Sequence, residues 1–182
     1  MEKTESRRSR MTRRIFRDCL KELLVEKDFG RISVSEICER ADMNRSTFYA
    51  HYTDQFDLMR DVEDEFLDGL SEAILQKDAK DFMERYTDCL RFIYENGKLF
   101  LLLTAQNSSG RLRERIIDTV CALLRSMGTV MKDDPYFTQK ISYVSGGSIL
   151  LMEQWIKSDD PVSVEDMGNL LLRFYYGIEQ AV

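Results

Sequence analysis

Between Arg45 and Tyr52 the chain reads Arg-Ser-Thr-Phe-Tyr-Ala-His-Tyr. Set on a helix, Phe48 and Tyr52 are four residues apart and share one face. Ser46, Tyr49, Ala50 and Thr53 form the opposite stripe, at i, i+3, i+4 and i+7. That stripe offers hydroxyls and small groups and no carboxylate. In a chain of net charge −6, a solvated surface helix would be expected to carry Glu or Asp there. A face without acids suits an element pressed into the major groove of duplex DNA, where a carboxylate would oppose phosphates. The other reading of the same pattern is a helix packed on a neighbouring domain.

The distribution of charge bears on this choice. Residues 1–17 hold seven basic side chains, among them Arg7, Arg8, Arg10, Arg13 and Arg14, against two acids. Residues 1–60 hold 13 basic and 11 acidic side chains, and residues 61–182 hold 13 and 21. An acidic body with a basic end steers one face toward phosphate. A basic terminus can equally be plain disorder.

Catalytic alternatives find little support. His51 is the only histidine, which excludes a His-rich metal site and a conventional Ser/His hydrolase centre outside this helix. Cys19, Cys38, Cys89 and Cys121 lie far apart without metal-ligand spacing and read as small buried hydrophobes. No paired-carboxylate or Gly-rich motif is present, and neither a cofactor nor an enzymatic activity is expected. The charged N-terminus lacks the apolar core of a secretory signal, and no stretch approaches the roughly 20 apolar residues needed to span a bilayer. A cytoplasmic protein is expected.

Helical punctuation organises the rest. Only two prolines and nine glycines interrupt a chain rich in helix formers, so the expected class is all-α. Ile15, Cys19, Leu20, Leu23 and Leu24 predict a helix over about Ser9–Lys27. Ser33 with Glu36 three residues on is a capping box, opening a short helix with Val34, Ile37, Cys38 and Ala41 inside. Ala41–Asn44 reads as a tight turn, followed by a helix from Asn44 or Arg45 to about Tyr52. Asp54 caps a fourth helix. Further amphipathic helices are predicted from Asp78 to Asn96, over Leu99–Ala105, Leu112–Met131 and Tyr136–Lys157, and from Val164 to Gly177 behind a Ser163 cap. Loops fall at Asn107–Gly110, Asp133–Pro135 and Ser158–Pro161.

A short helix, a turn and a second short helix over residues 33–52 have the spacing of a helix-turn-helix. Phe29 through Leu58 resembles the DNA-binding signature of TetR-type repressors, most specifically at Arg45–Tyr52. Two positions depart from it. Asp42 stands where the family usually has Gly, and Asp tolerates a left-handed backbone better than most residues. Gln55 stands where a Lys commonly touches phosphate. By position, the resemblance implies that Arg45, Ser46 and Ala50 face base edges, and that Thr47, Tyr49, His51 and Tyr52 grip phosphates. It adds Ser33 and Ser35 at the start of the second helix, and Arg10, Arg13 and Arg14 toward backbone or minor groove. Arg45 is alternatively a cap, and Tyr52 alternatively core.

Tyr143 through Lys157, with its Gly-Gly and Trp, is similar to a TetR subgroup that includes regulators of dihydroxyacetone kinase operons. Gly146 and Gly147 within a helix cost roughly 1 kcal/mol each relative to Ala, tolerable where another helix must come close. The expected homodimer interface comprises Gly146, Gly147 and Met152 with Leu170, Leu171 and Phe174; the competing reading is an intramolecular core. The family often binds a small effector among the middle helices, for which Phe66, Tyr86, Leu90, Phe100, Leu103, Tyr143 and Trp155 are candidates, though such a stripe also serves as core.

The expectation is therefore an all-α chain with an N-terminal three-helix DNA-binding domain (1–53) and a C-terminal helical bundle (54–182) for dimerisation and ligand binding. Its partners would be double-stranded operator DNA, a second copy and a small-molecule effector, with no membrane. Its function would be that of a sequence-specific regulator, a repressor relieved by effector. The alternative is a helix-turn-helix turned to protein interaction, with weak or no DNA binding.

Overall fold

Ser6 starts the first helix: its hydroxyl accepts the Ser9 amide at 3.1 Å, which satisfies one of the orphan donors of a helix start. In the computed structural model, which describes residues 6–74, 82–105, 112–118 and 135–179, this helix is α1 (Arg7–Glu26). It buries Phe16, Cys19, Leu20, Leu23 and Leu24. Phe16, at three residues before Cys19, is fully enclosed, whereas Ile15 is only half-buried and lies beside the stripe. A single 3-10 turn (Phe29–Arg31) then carries Phe29 into the core.

The helix α2 (Val34–Arg40) begins with both halves of the capping box. The Glu36 amide reaches the Ser33 hydroxyl at 3.3 Å, and the Glu36 carboxylate accepts the Ser33 amide at 2.9 Å. Next comes α3 (Arg45–Tyr49), capped by Asn44, whose carbonyl oxygen accepts the Thr47 amide at 2.8 Å. It ends three residues earlier than its apolar pattern predicts. The amides of His51 and Tyr52 both return to the Phe48 carbonyl at 2.9 Å, closing the helix in a turn before α4 (Gln55–Ile74). Asp54 does cap α4, accepting the Asp57 amide at 2.8 Å, while Asp57 accepts the Thr53 amide at 3.0 Å.

The described residues divide into two compact units, and the division falls within α4, between Phe66 and Leu67. The first unit packs α1 on α2 and α2 on α3. Its centre is aromatic: Phe16 meets Phe48 edge-on at 5.3 Å and Tyr52 at 6.2 Å between ring centroids.

The second unit is built from α5 (Phe82–Glu95), α6 (Gly97–Thr104), the helical residues 112–118 (α7), α8 (Phe137–Ile156) and α9 (Val164–Glu179). Here α5 packs against α9 and α6, and α8 against α6 and α9. Two close approaches explain glycines within or beside these helices. A Cβ at Gly69 would lie 2.7 Å from the Phe92 ring, and one at Gly97 would lie 2.8 Å from Ile156. Ser163 caps α9 by accepting the Asp166 amide at 3.0 Å, and the Trp155 indole donates to the Val162 carbonyl at 2.8 Å, fastening the connection between α8 and α9.

No strand occurs among the described residues, and no described helix is long and apolar enough to cross a membrane. The expected helix start at Asp78, the loop at 107–110, the helix beyond residue 118 with Cys121, and Asp133–Asp134 lie outside the described residues.

Candidate nucleic-acid interface

The angle between α2 and α3 is set by a four-residue connection, Ala41–Asn44. The Met43 amide returns to the Cys38 carbonyl at 2.9 Å and the Asp42 amide to Glu39 at 3.2 Å. This geometry places Asp42 in the left-handed region at φ 50°, where a side chain is costly and Asp is among the better tolerated.

On α3 the two faces separate as their spacing predicts. Phe48 is wholly buried; Tyr49 is 56% exposed, and Ser46, Ala50 and Thr53 are exposed with it. The surface is organised at its N-terminal edge by Asn44. Besides capping the helix, its side-chain oxygen accepts the hydroxyls of Ser46 at 2.6 Å and Thr47 at 2.9 Å. Asn44 was legible as a helix start, but the fixing of two neighbouring hydroxyls was not.

Arg45 is exposed and does not cap; its guanidinium donates to the Ser35 hydroxyl, which joins α2 to α3 across the turn. Ser33 is occupied by its own capping box, so its hydroxyl donates to Glu36 at 2.8 Å. Lys27 and the Ser33 groups hold the Glu36 carboxyl at about 2, well below the usual carboxylate range. Thr47 and His51 are half-buried at the rim.

Tyr52 takes the second of its two expected places, in the core. It is buried rather than presented to phosphate, because the turn after Tyr49 swings its ring onto Phe16 and Phe48. Its phenol donates to Asp61 on α4 at 2.6 Å. Arg13 is drawn to the same carboxylate, through Nη2 at 2.8 Å and Nε at 3.3 Å, and its guanidinium lies 5.6 Å from the centre of the Tyr52 ring. Arg13 is therefore held in an ion pair and not extended toward solvent. Burial works to raise the Asp61 pKa, but hydrogen bonds from Tyr52, Arg13 and Arg17 outweigh it and keep the carboxyl below its ordinary value. Burial and the Asp61 hydrogen bond push the Tyr52 phenol up. The basic residues at the start of the chain are helical from Arg7 onward, with Arg7, Arg8, Arg10 and Arg14 exposed along α1.

The other candidate residues are placed less uniformly. Leu90, Phe100, Leu103 and Trp155 are buried in the second unit, and Phe66 is buried in the first. Tyr86 is half-buried; with Leu90 it borders Gly168 of α9. Trp155 instead stacks on Tyr94, 4.5 Å between centroids. Tyr143 is 74% exposed and does not join these residues, because α8 buries Ile141 and Ser145 and turns Tyr143 outward.

Met152 and Leu171 likewise belong to the chain's own core, since Met152 continues the buried stripe of Ile141, Ser145 and Ile149. Gly147, Leu170 and Phe174 are exposed and Gly146 is half-exposed. Among the described residues nothing lies within 4 Å of a Cβ built at Gly146 or Gly147. Their small size is thus not explained by close packing within one described chain. No group of three or more His, Cys, Asp and Glu among the described residues could hold a metal.

Comparison with known proteins places this geometry. Residues 19–62 match the family described as bacterial regulatory proteins, tetR family. The chain is 24% identical over 183 aligned positions to an uncharacterised HTH-type transcriptional regulator, YxbF, of Bacillus subtilis, covering 91% of this chain and 47% of the relative. It thus spans about half the length of that curated relative.

Solved structures share the fold. A TetR transcriptional regulator from Streptococcus agalactiae aligns with TM-score 0.70 at 22% identity, over 94% of this chain and 95% of that one. The fatty acid degradation regulator FadR from Bacillus halodurans aligns at 0.69 and 14%, over 96% and 97%. The dihydroxyacetone kinase operon activator DhaS aligns at 0.58 and 18%, over 93% and 96%.

Proposed function

We propose that the chain, whose residues 19–62 match the tetR family of bacterial regulatory proteins, is a transcriptional regulator of that type that binds operator DNA sequence-specifically as a homodimer through α2 and α3. The observation that carries the reading is the two-sided geometry of α3: Phe48 buried, and Ser46, Tyr49, Ala50 and Thr53 exposed without an acid among them. Arg45, Ser46 and Ala50 would face base edges in the major groove. Tyr49 and His51 would hold phosphates, joined by Ser35 at the start of α2 and by Arg10 and Arg14 on α1; the donors of Ser33 and Thr47 are taken by Glu36 and Asn44. Residues 1–53 form the reading head in this account, and residues 54–182 serve dimerisation and effector binding.

Dimerisation has its own support. Tyr143, Gly147 and Leu150 are exposed at i, i+4 and i+7 on α8, and Leu170, Phe174 and Gly177 are exposed at the same spacing on α9. An apolar stripe of this kind is covered most simply by its own copy about a two-fold axis. The two copies would then read half-sites related by the same symmetry. Repression relieved by a small molecule is the regulatory sense that accompanies this family reading, in the cytoplasm.

Selection of bound sites from random duplex DNA tests the proposal. Enrichment of a sequence with two inverted half-sites is expected. Recovery of no preferred sequence would favour the protein-interaction alternative.

A further inference from the structure

Asp61 stands on α4, behind the face proposed to meet DNA, and gathers the groups that support that face. Its carboxylate accepts the Tyr52 phenol at 2.6 Å, Arg13 at 2.8 and 3.3 Å, and Arg17 at 3.1 Å. Arg17 and Lys21 reach Glu65, one turn on, at 3.1 and 2.5 Å. Tyr52 follows α3 by three residues and packs on Phe48, which anchors α3. One carboxylate thus joins α1, the trailing end of α3 and α4.

Two effects on recognition follow. The first is positional. A short bond from a phenol to a carboxylate is of the strong, charge-assisted class, and here it fixes the end of the recognition helix from the inside. The second is electrostatic. Arg13 and Arg17 lie close to the recognition segment, Arg13 directly over the Tyr52 ring, with their charge balanced by Asp61 and Glu65. Unbalanced cations beside a DNA-binding face strengthen binding to every sequence alike, whereas base contacts alone discriminate.

We propose that Asp61 is a positioning residue that raises operator discrimination by seating the recognition helix through Tyr52, and that it also holds Arg13 and Arg17 back from phosphate binding that would strengthen every duplex alike. Asp61 touches no DNA in this account. The inference rests on the DNA-binding reading above. A merely structural ion pair would change stability, and with it the active fraction, but would leave the ratio of operator to non-operator affinity unmoved.

The test uses the full chain as wild type, Asp61→Asn and Tyr52→Phe. Each is titrated with the selected operator and with a scrambled duplex of equal length, over a range of salt, alongside a melting curve. Asp61→Asn is expected to lower the operator-to-scrambled ratio by about ten-fold, through the lost seating of α3, while the freed arginines strengthen binding to the scrambled duplex. Its scrambled-duplex salt slope should steepen by about 0.9 for each arginine that reaches a phosphate. Tyr52→Phe, which keeps every charge, should lower operator affinity with the slope unchanged. Equal ratios in all three proteins would overturn the inference. If Asp61→Asn does not fold, a wild-type ratio in Tyr52→Phe overturns it alone, and a lowered ratio sustains it. A wild type that prefers no duplex overturns the DNA-binding reading itself, and this inference with it.

Discussion

Phe48 and Tyr49 are consecutive residues whose rings meet edge to face, 5.6 Å between centroids, yet Phe48 is wholly enclosed and Tyr49 is 56% exposed. One helix of five residues therefore carries a core anchor and a surface contact side by side. Phe48→Ala would open a cavity against Phe16 and Tyr52. A loss of about 3–5 kcal/mol in folding stability is expected, read as a lowered urea midpoint. A midpoint within experimental scatter of wild type would mean that Phe48 is not the anchor of this unit.

Asp42 tests the turn between α2 and α3. At φ 50° it sits where glycine is at ease and a Cβ is not. Asp42→Gly should be neutral or stabilising, by up to about 1 kcal/mol, and Asp42→Val should destabilise by more than that. Thermal melts of the three proteins would order them Gly, Asp, Val; a Val variant as stable as wild type contradicts the turn.

The capping box of α2 gives a pH signature. The Lys27 and Ser33 groups lower the Glu36 carboxyl to about 2 from its ordinary 4.5. A carboxyl depressed in the folded state adds stability that is full above the unfolded value and fades as pH falls toward the folded one. Glu36→Gln keeps the hydrogen-bonding shape and removes the charge. The gap in melting temperature between wild type and this variant should be present at pH 6 and close as pH falls from about 4.5 toward about 2. A gap independent of pH across that window would refute the assignment.

How far the sequence disclosed this structure depends on how local each signal was. The box at Ser33 and Glu36, the caps at Asp54 and Ser163, and the two faces of α3 lie within one or two helical turns, and all are found as their spacing predicts. The end of α3 was misplaced because Tyr52 keeps the helical spacing from Phe48 after the backbone has already turned. Asp61 carried no local signal at all: its arginine partners stand 44 and 48 residues away, and an acid on an amphipathic helix reads as solvated surface. Met152 and Leu171 share their helices with exposed Gly147 and Phe174, and apolar character alone does not tell the inner stripe from the outer one.

The outer stripe makes its own prediction. Phe174 is 53% exposed in the isolated chain, so Phe174→Glu should leave helix content and the fold of one chain intact. Light scattering at micromolar concentration is expected to give a dimer for wild type and a monomer for the variant. A wild-type chain that is already monomeric at that concentration would remove the dimer from the account.

The central claim is that the exposed side of α3 binds duplex DNA, and Tyr49 addresses it with the least disturbance to the fold. Fluorescence anisotropy with the selected operator, on wild type and Tyr49→Ala, measures it directly. The account predicts operator binding weakened by about 1–3 kcal/mol, with thermal stability changed by no more than about 0.5 kcal/mol. Unchanged operator affinity at unchanged stability, or a melted domain, would contradict it.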